Sequence, residues 1–343
     1  MPQSERVVII GGAGFIGKRL TALLANQGCQ VVVVSRSAGK HSSSNPRIEY
    51  QSGATTDRAR MSELIAGASV VYNLAVAAGK GWADWERNLI TGDMNVAEAC
   101  LEHGVRRLIY TSTTAAIYLG KPGTATEATL GNEASRTDRG DYCKAKSITE
   151  NKLLEMHRSR KLPVVILRPA VVMGPGGMMV HPALGDRVSD VHLLGFGKGN
   201  TPLPCVLVDD VAQALLLAKD APDIEGLTFN LVGDVRPTAS EFVDVLRQRT
   251  RRNFQFHPRS MWGICAGELS RYLIKKAVRK PDNRMVAFRD LRSGSLATQL
   301  DCSLAKQKLG WKPVADQEEF YRQAVDVFVK PIPDGDIRLE PAD

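Results

Sequence analysis

The stretch Val7-Val8-Ile9-Ile10-Gly11-Gly12-Ala13-Gly14-Phe15-Ile16-Gly17 constrains this chain more than any other. Four β-branched aliphatic residues lead into Gly11, Gly14 and Gly17, spaced three apart, and Lys18 to Gln27 then reads as a helix with Leu20, Leu23 and Leu24 on one face. The local structure is strand, tight turn, helix. Glycine at such a turn accepts positive φ and leaves the N–H groups of the helix N-terminus open to a diphosphate, which the helix dipole favours. The functional reading is a dinucleotide pocket; a turn that serves only packing is the alternative.

The same alternation continues along the chain. Strands are predicted over Gln30 to Val34, Arg47 to Gln51, Ser69 to Leu74, Arg106 to Tyr110 and Pro163 to Leu167. Helices are predicted over Asp57 to Ala66, Trp85 to His103, and Tyr142 to about Arg160. This is the signature of an α/β fold, a Rossmann-type doubly wound parallel sheet, in which ligands lie outside the carboxyl ends of the strands. Two of those ends suit a ligand: small residues around Ala75 follow the fourth strand, and the hydroxyls of Thr111, Ser112, Thr113 and Thr114 close the fifth.

From Met173 to Pro204 the pattern gives way to Gly-, Pro- and His-rich sequence, as in a substrate-facing lobe built from loops. A strand at Val206 to Val208 then leads to a helix over Val211 to Lys219, with Asp209 or Asp210 near its N-terminus. Another strand, Thr228 to Val232, and a helix, Thr238 to Thr250, follow. The expected organisation is a dinucleotide-binding domain over 1–170 with further elements from 205–232, a smaller C-terminal substrate lobe from 171–204 and 233–330, and a frayed tail over 331–343.

Composition excludes several classes. No window reaches 18 consecutive apolar residues, and no signal-like apolar segment precedes the first strand, so the expectation is a cytoplasmic chain. The six cysteines are scattered without Cys-x-x-Cys pairing or a histidine at metal-ligand spacing, so no metal is expected. The net charge of +8 fits an anionic cofactor and substrate, an acidic membrane surface, or solubility alone. Its basic residues are spread out and no nucleic-acid module is present, so nucleic acid is not an expected partner.

Tyr142 and Lys146 carry the chemistry. They lie four apart on a predicted helix, hence on one face, and an ammonium beside a phenol lowers its pKa from about 10 towards the working pH. The pair makes a proton relay for a carbinol or carbonyl oxygen. After the second strand, Ser35-Arg36 stands where dinucleotide folds carry an acidic residue for the ribose 2′-OH. An arginine there suits a 2′-phosphate and points to NADP, with NAD the alternative and a solvated strand-end arginine the non-functional reading.

In this order, glycine turn, hydroxyl-rich strand end, then Tyr142 and Lys146, the chain resembles an extended short-chain dehydrogenase/reductase of the NAD-dependent epimerase/dehydratase superfamily. It is most similar to the 3β-hydroxysteroid dehydrogenase and dihydroflavonol reductase-like branch. Leu167-Arg168-Pro169, Val208-Asp209-Asp210 and Leu309-Gly310-Trp311-Lys312-Pro313 match further landmarks, and the likeness runs from about Arg6 to Val329. It implies Thr113 as the substrate-oxygen hydrogen-bond donor, with Ser112 the alternative, Tyr142 as proton donor or acceptor, Lys146 on the cofactor ribose, and Asn88 as a supporting residue. It also implies cofactor contacts at Gly11, Gly14, Phe15, Ile16, Gly17, Ala75, Ser112, Pro169 and Val172, and a homodimer as the common assembly.

Departures from the family narrow the substrate. Gly53-Ala54 replaces a common acidic adenine contact, and Leu203, seven before Asp210, replaces the arginine with which nucleotide-sugar members grip a diphosphate. Arg292 matches a second such arginine. The expected activity is therefore hydride transfer between a secondary alcohol and a ketone on an apolar small molecule. A nucleotide-sugar epimerase or dehydratase with bound cofactor is the alternative, and a cofactor-binding scaffold without turnover a third. The stretch 261–280, apolar at first and then basic, fits either an amphipathic helix on an anionic membrane or, as the preferred reading, one that covers the substrate lobe and shows water its basic side.

Overall fold

The structure, a computed structural model, describes residues 4–77, 79–117, 123–130, 140–279, 298–331 and 337–339. Strands β1 (Arg6–Ile10), β2 (Gln30–Ser35), β3 (Ile48–Ser52), β4 (Val70–Asn73), β5 (Arg107–Thr111), β6 (Val164–Pro169) and β7 (Thr228–Leu231) form one sheet in the order β7-β6-β5-β4-β1-β2-β3. Every pairing in it is parallel, with Val8 set between Val32 and Val71. The chain winds outward from β1 to β3 and then returns to place β4 on the other side of β1. That reversal leaves a crevice beyond the carboxyl ends of β1 and β4, where the glycine turn stands.

Alternate side chains explain why Val7 to Ile10 of β1 must all be apolar. Val7 and Ile9 pack with Leu20 and Leu24 of α1 (Phe15–Asn26) and with Val211 and Leu215, whereas Val8 and Ile10 pack with Met61, Val96 and Leu153 on the opposite face. Val211 and Leu215 belong to a helix running Val208–Leu217; Met61, Val96 and Leu153 come from α2 (Arg58–Ile65), α3 (Gly92–Glu102) and α4 (Asp141–Arg160). A strand buried on both faces has no polar side.

Element boundaries differ from the expectations where local geometry overrides periodicity. Helix α1 starts at Phe15, three residues before Lys18, because the glycine turn ends in extended backbone at Gly14. The helix expected over Trp85 to His103 is a short α-turn at Trp82–Trp85, a π-helical segment at Glu86–Thr91 and then α3. Gly92 lies against Thr55, whose Oγ1 would be 2.5 Å from any Cβ there. The strand expected at Val206 to Val208 is Cys205–Leu207, and it pairs with Val171–Met173 outside the main sheet. Helix α5 (Val208–Leu217) follows at once, so Asp209 and Asp210 both sit in its first turn, where the dipole favours acids.

The remaining elements form an apolar cluster of their own, with Leu193, Leu203, Phe242, Phe254 and Phe320 at its centre. Helix α6 (Ala239–Thr250) starts with a capping box between Thr238 and Glu241. Helix α7 (Met261–Ala277) does not have the expected orientation: none of its residues is buried, and Trp262, Leu269, Leu273 and Ile274 are turned to water, not covered by the lobe. In the segment expected to fray, Ile337–Leu339 pairs antiparallel with Val329–Pro331. Helices α8 (Ser303–Leu309) and α9 (Gln317–Ala324) complete the chain.

The C-terminal segment is pinned to α5 through Asp210. Its carbonyl accepts the Trp311 indole N–H at 2.9 Å and its carboxylate accepts the Val314 N–H at 3.1 Å. Burial pushes this carboxyl up to about 6, against the lowering effect of the Val314 N–H. The folded pKa thus exceeds the unfolded value of about 3.9, so the stabilisation by the protonated form is full below about pH 4 and is lost as pH rises through about 6. Asp210→Asn keeps an oxygen for Val314. Thermal denaturation should show it gaining stability over the parent at pH 7 and not at pH 4.

Candidate active site

At the crevice, the backbone leaves no room for side chains. Gly11 has φ +81°, and a Cβ there would lie 2.9 Å from the Leu74 carbonyl group; a Cβ on Gly17 would lie 2.5 Å from the Gly11 oxygen. Helix α1 therefore abuts the turn directly. Gly14 offers no capping side chain and no acid occupies the first turn, so the N–H groups of α1 face the crevice with their positive dipole end uncompensated. A dinucleotide diphosphate fits such a cradle.

Two adjoining cavities share Gly11, Gly14, Leu74, Ala75 and Val76 as a common wall. The first, of about 380 Å³, is lined by Arg36, Ser35, Ser37 and His41 at the end of β2, by Gly53 to Thr56 after β3, and by Asn88. His41 stacks on Tyr50 at 5.5 Å and approaches Ser37 Oγ with Nε2 at 3.4 Å. The second, of about 250 Å³, is lined by Phe15, Ile16, Gly17, Thr111, Ser112, Thr113, Tyr142, Lys146, Pro169 and Val172. The structure thus gathers Thr113, Tyr142 and Lys146 on one wall. Asn88, expected beside them, lies on the π-helical segment and lines the other cavity, with its Oδ1 accepting from Arg87. Arg292 lies outside the described residues.

Tyr142, Lys146 and Glu150 succeed one another at intervals of four along α4 and face the sheet. Tyr142 meets Trp85 edge-on at 5.6 Å. Lys146 is buried, and its Nζ donates to Tyr110 Oη at 2.9 Å and to the Thr111 carbonyl at 3.0 Å, which leaves one N–H for the cavity. Tyr110 in turn donates to Asp93 Oδ2 at 2.8 Å, and Asn73 Nδ2 donates to Asp93 Oδ1 at 2.8 Å. Burial lowers the Lys146 pKa, and the charges of Asp93 and Glu150 oppose that effect. Burial raises the Asp93 pKa, against the lowering influence of Lys146 and of its two hydrogen-bond donors.

Sequence reasoning missed Asn73, Asp93 and Tyr110. One signal was present: Asp93 is an acid on the otherwise apolar inward face of α3, beside Leu89, Val96 and Ala97. The hydroxyls also differ. Thr113 Oγ1 accepts the Ala115 N–H at 3.2 Å and keeps its own proton to give, whereas the buried Ser112 Oγ and Thr111 Oγ1 have no partner among the described residues.

Residues 7–231, more than half of the 343, match the model of the NAD dependent epimerase/dehydratase family. The chain belongs to this family. Within it, a 2-alkyl-3-oxoalkanoate reductase of Stenotrophomonas maltophilia is 28% identical over 229 residues, 63% of this chain and 66% of the reductase. Short-chain dehydrogenase/reductase family 42E member 1 of Xenopus laevis is 29% identical over 230 residues, 63% of this chain and 59% of that protein. Both matches span less than two thirds of the relative. A UDP-glucose 4-epimerase of Vibrio cholerae is 24% identical over 340 residues, 96% of this chain and 97% of the epimerase. Among solved structures, UDP-glucose 4-epimerase of Thermotoga maritima with UDP-glucose aligns with a TM-score of 0.69 at 24% identity, covering 94% of this chain and 98% of the other. A dTDP-glucose 4,6-dehydratase of Streptomyces venezuelae with NAD and TYD bound aligns with a TM-score of 0.69 at 18% identity, over 94% and 96% of the two chains. These structures share the fold of this family member.

The Asp93 network makes a prediction. Asp93→Asn removes the charge that offsets Lys146 burial and sets an amide against the Tyr110 hydroxyl. It should lower unfolding free energy by about 1–3 kcal/mol in denaturant titrations at pH 7, with Tyr110→Phe costing less because Asp93 remains.

Proposed function

We propose that the chain is an NADP-dependent reductase that interconverts a ketone and a secondary alcohol on a fairly apolar small molecule in the cytoplasm. Its substrate class rests on Leu203. Where nucleotide-sugar members carry a diphosphate arginine, this side chain is buried in the lobe's apolar cluster beside Met173, Leu193 and Phe242, and a diphosphate gains no charge partner from it. The reductase relative acts, by its name, on an alkyl-substituted oxoacid. A separate cavity of about 520 Å³ has an apolar wall of Pro202, Pro204 and Leu300, with Arg236 and Asp301 as its charged groups. The Arg236 guanidinium donates to the Gly233 carbonyl and has no carboxylate partner among the described residues. The free cysteines, most of them buried, support a reducing compartment.

A nicotinamide bound in the crevice supplies or accepts the hydride. The residues of the chain handle the proton. The Thr113 hydroxyl donates a hydrogen bond to the substrate oxygen, and Tyr142 gives that oxygen its proton in reduction or takes it in oxidation. Lys146, one turn along α4, favours the phenolate that remains and offers its last N–H to the ribose. Arg36, with Ser35 and Ser37 beside it, receives a 2′-phosphate at the exposed end of β2.

The full-length alignment with a UDP-glucose 4-epimerase favours a second reading, sugar-nucleotide conversion with no net change of cofactor. Absorbance at the reduced-nicotinamide band separates the two. With 2-alkyl-3-oxo acids or steroidal ketones, the proposal requires net loss of added NADPH, and Tyr142→Phe should cut the rate by at least ~100-fold while cofactor binding persists. NADPH should bind more tightly than NADH, and Arg36→Ala should remove the difference. Equal affinities in the parent protein contradict the NADP assignment, and conversion of UDP-sugars without cofactor turnover contradicts the reductase.

A further inference from the structure

Helix α7 presents its apolar side outward. Trp262, Ala266, Leu269, Leu273 and Ala277 follow one another at intervals of four, three, four and four, which at 3.6 residues per turn is a single stripe along the helix. Ile274 and Val278 widen it. Trp262 is 87% exposed, Ile274 65%, Val278 59% and Leu273 53%. Five of the ten large hydrophobic residues exposed among those described lie on this one helix or at its C-cap, so the face is a contiguous patch and not scattered surface leucines.

Charge is excluded from that face. Turning around the helix from Leu269 to Val278, the outward half holds no charged side chain; Lys276 flanks one edge and Arg271 the other. The one acid of the helix, Glu268, pairs with Arg271 at 2.6 Å. Lys275, Lys276 and Arg279 have no carboxylate partner among the described residues and leave the C-terminal end strongly basic. An apolar stripe with basic margins and a tryptophan at one end is the pattern of a helix lying in a membrane interface. No helix among the described residues is long and apolar enough to cross a membrane. A second copy of the chain fits less well, because a two-fold contact through this face brings like basic margins together.

We infer that α7 is an interfacial anchor that lays the protein on an anionic phospholipid surface. The stripe enters the acyl boundary while Arg271 and Lys276, at its two margins, meet lipid phosphates. Binding is therefore sensitive both to salt and to anionic lipid content.

Co-sedimentation of the full chain with vesicles tests this without reference to turnover. The protein should bind vesicles of phosphatidylcholine containing phosphatidylglycerol and bind vesicles of phosphatidylcholine alone far more weakly. Neutralising the two basic residues at the margins, Arg271→Gln with Lys276→Gln, should weaken binding about 25-fold, about fivefold for each. Trp262→Ser with Leu273→Ser should abolish it, and both double variants should melt with the parent because the altered side chains are exposed. Absence of binding to anionic vesicles, or binding unchanged by Arg271→Gln with Lys276→Gln, overturns the inference. So does a dimer in sedimentation velocity that Trp262→Ser with Leu273→Ser dissociates while the parent ignores vesicles, which assigns the face to a second copy.

Discussion

Lys146 is an ammonium held out of water, and the centre of the fold is arranged to keep it charged. Burying such a group alone costs several kcal/mol, so its surroundings must answer with charge and hydrogen bonds. The answer comes from every neighbouring element. Tyr110 and the Thr111 carbonyl of β5 accept its protons, Asp93 of α3 sits behind Tyr110, and Asn73 of β4 completes the acid's hydrogen bonds. Glu150, one turn further along α4, is itself buried and paired with Arg168 of β6, Nη2 to Oε2 at 2.7 Å. Adjacent strands and two helices are thus fixed around one lysine. The same constraint aims its remaining N–H at the crevice and places Tyr142 a turn nearer to it.

The crevice has a different origin. It follows from the reversal of strand order at β1, which opens a gap between helices, and from three glycines that let α1 reach its floor. Glycine is required there by contact as well as by conformation: the turn and the helix touch through backbone. The gap holds two adjoining cavities, one at the arginine end beyond β2 and one at the Thr113, Tyr142 and Lys146 wall beyond β5 and β6. The family to which the chain belongs is named for NAD dependence.

Much of this was legible in the residues. The run Val7 to Ile10 could only be a doubly buried strand, and the glycines after it could only be a close turn, so the fold class followed. Tyr142 and Lys146 were legible because helical spacing is a rigid ruler. What could not be read was whatever depends on elements distant in sequence meeting in space. Asp93 looks like any helix acid until Tyr110 and Asn73 are brought beside it by strand register. Asn88 lines the cavity beyond β2 and β3 from a π-helical segment, which periodicity of 3.6 cannot anticipate. The outward stripe on α7 was visible as amphipathicity, but which side would face the protein depends on its neighbours. Leu203 was informative in both views, first as a missing cation and then as part of an apolar core.

In the proposed function, the arginine end, the glycine cradle and the Tyr142 wall form one redox site open to a diffusing ketone. Transfer of an isotopic label from cofactor to product tests it most directly. With NADPH carrying deuterium at both nicotinamide C4 positions and a 2-alkyl-3-oxo acid as acceptor, the account predicts product alcohol labelled at the carbinol carbon, with a stoichiometric amount of NADP released. Alcohol formed without label, or label that stays on the cofactor while a sugar nucleotide is converted, would contradict it.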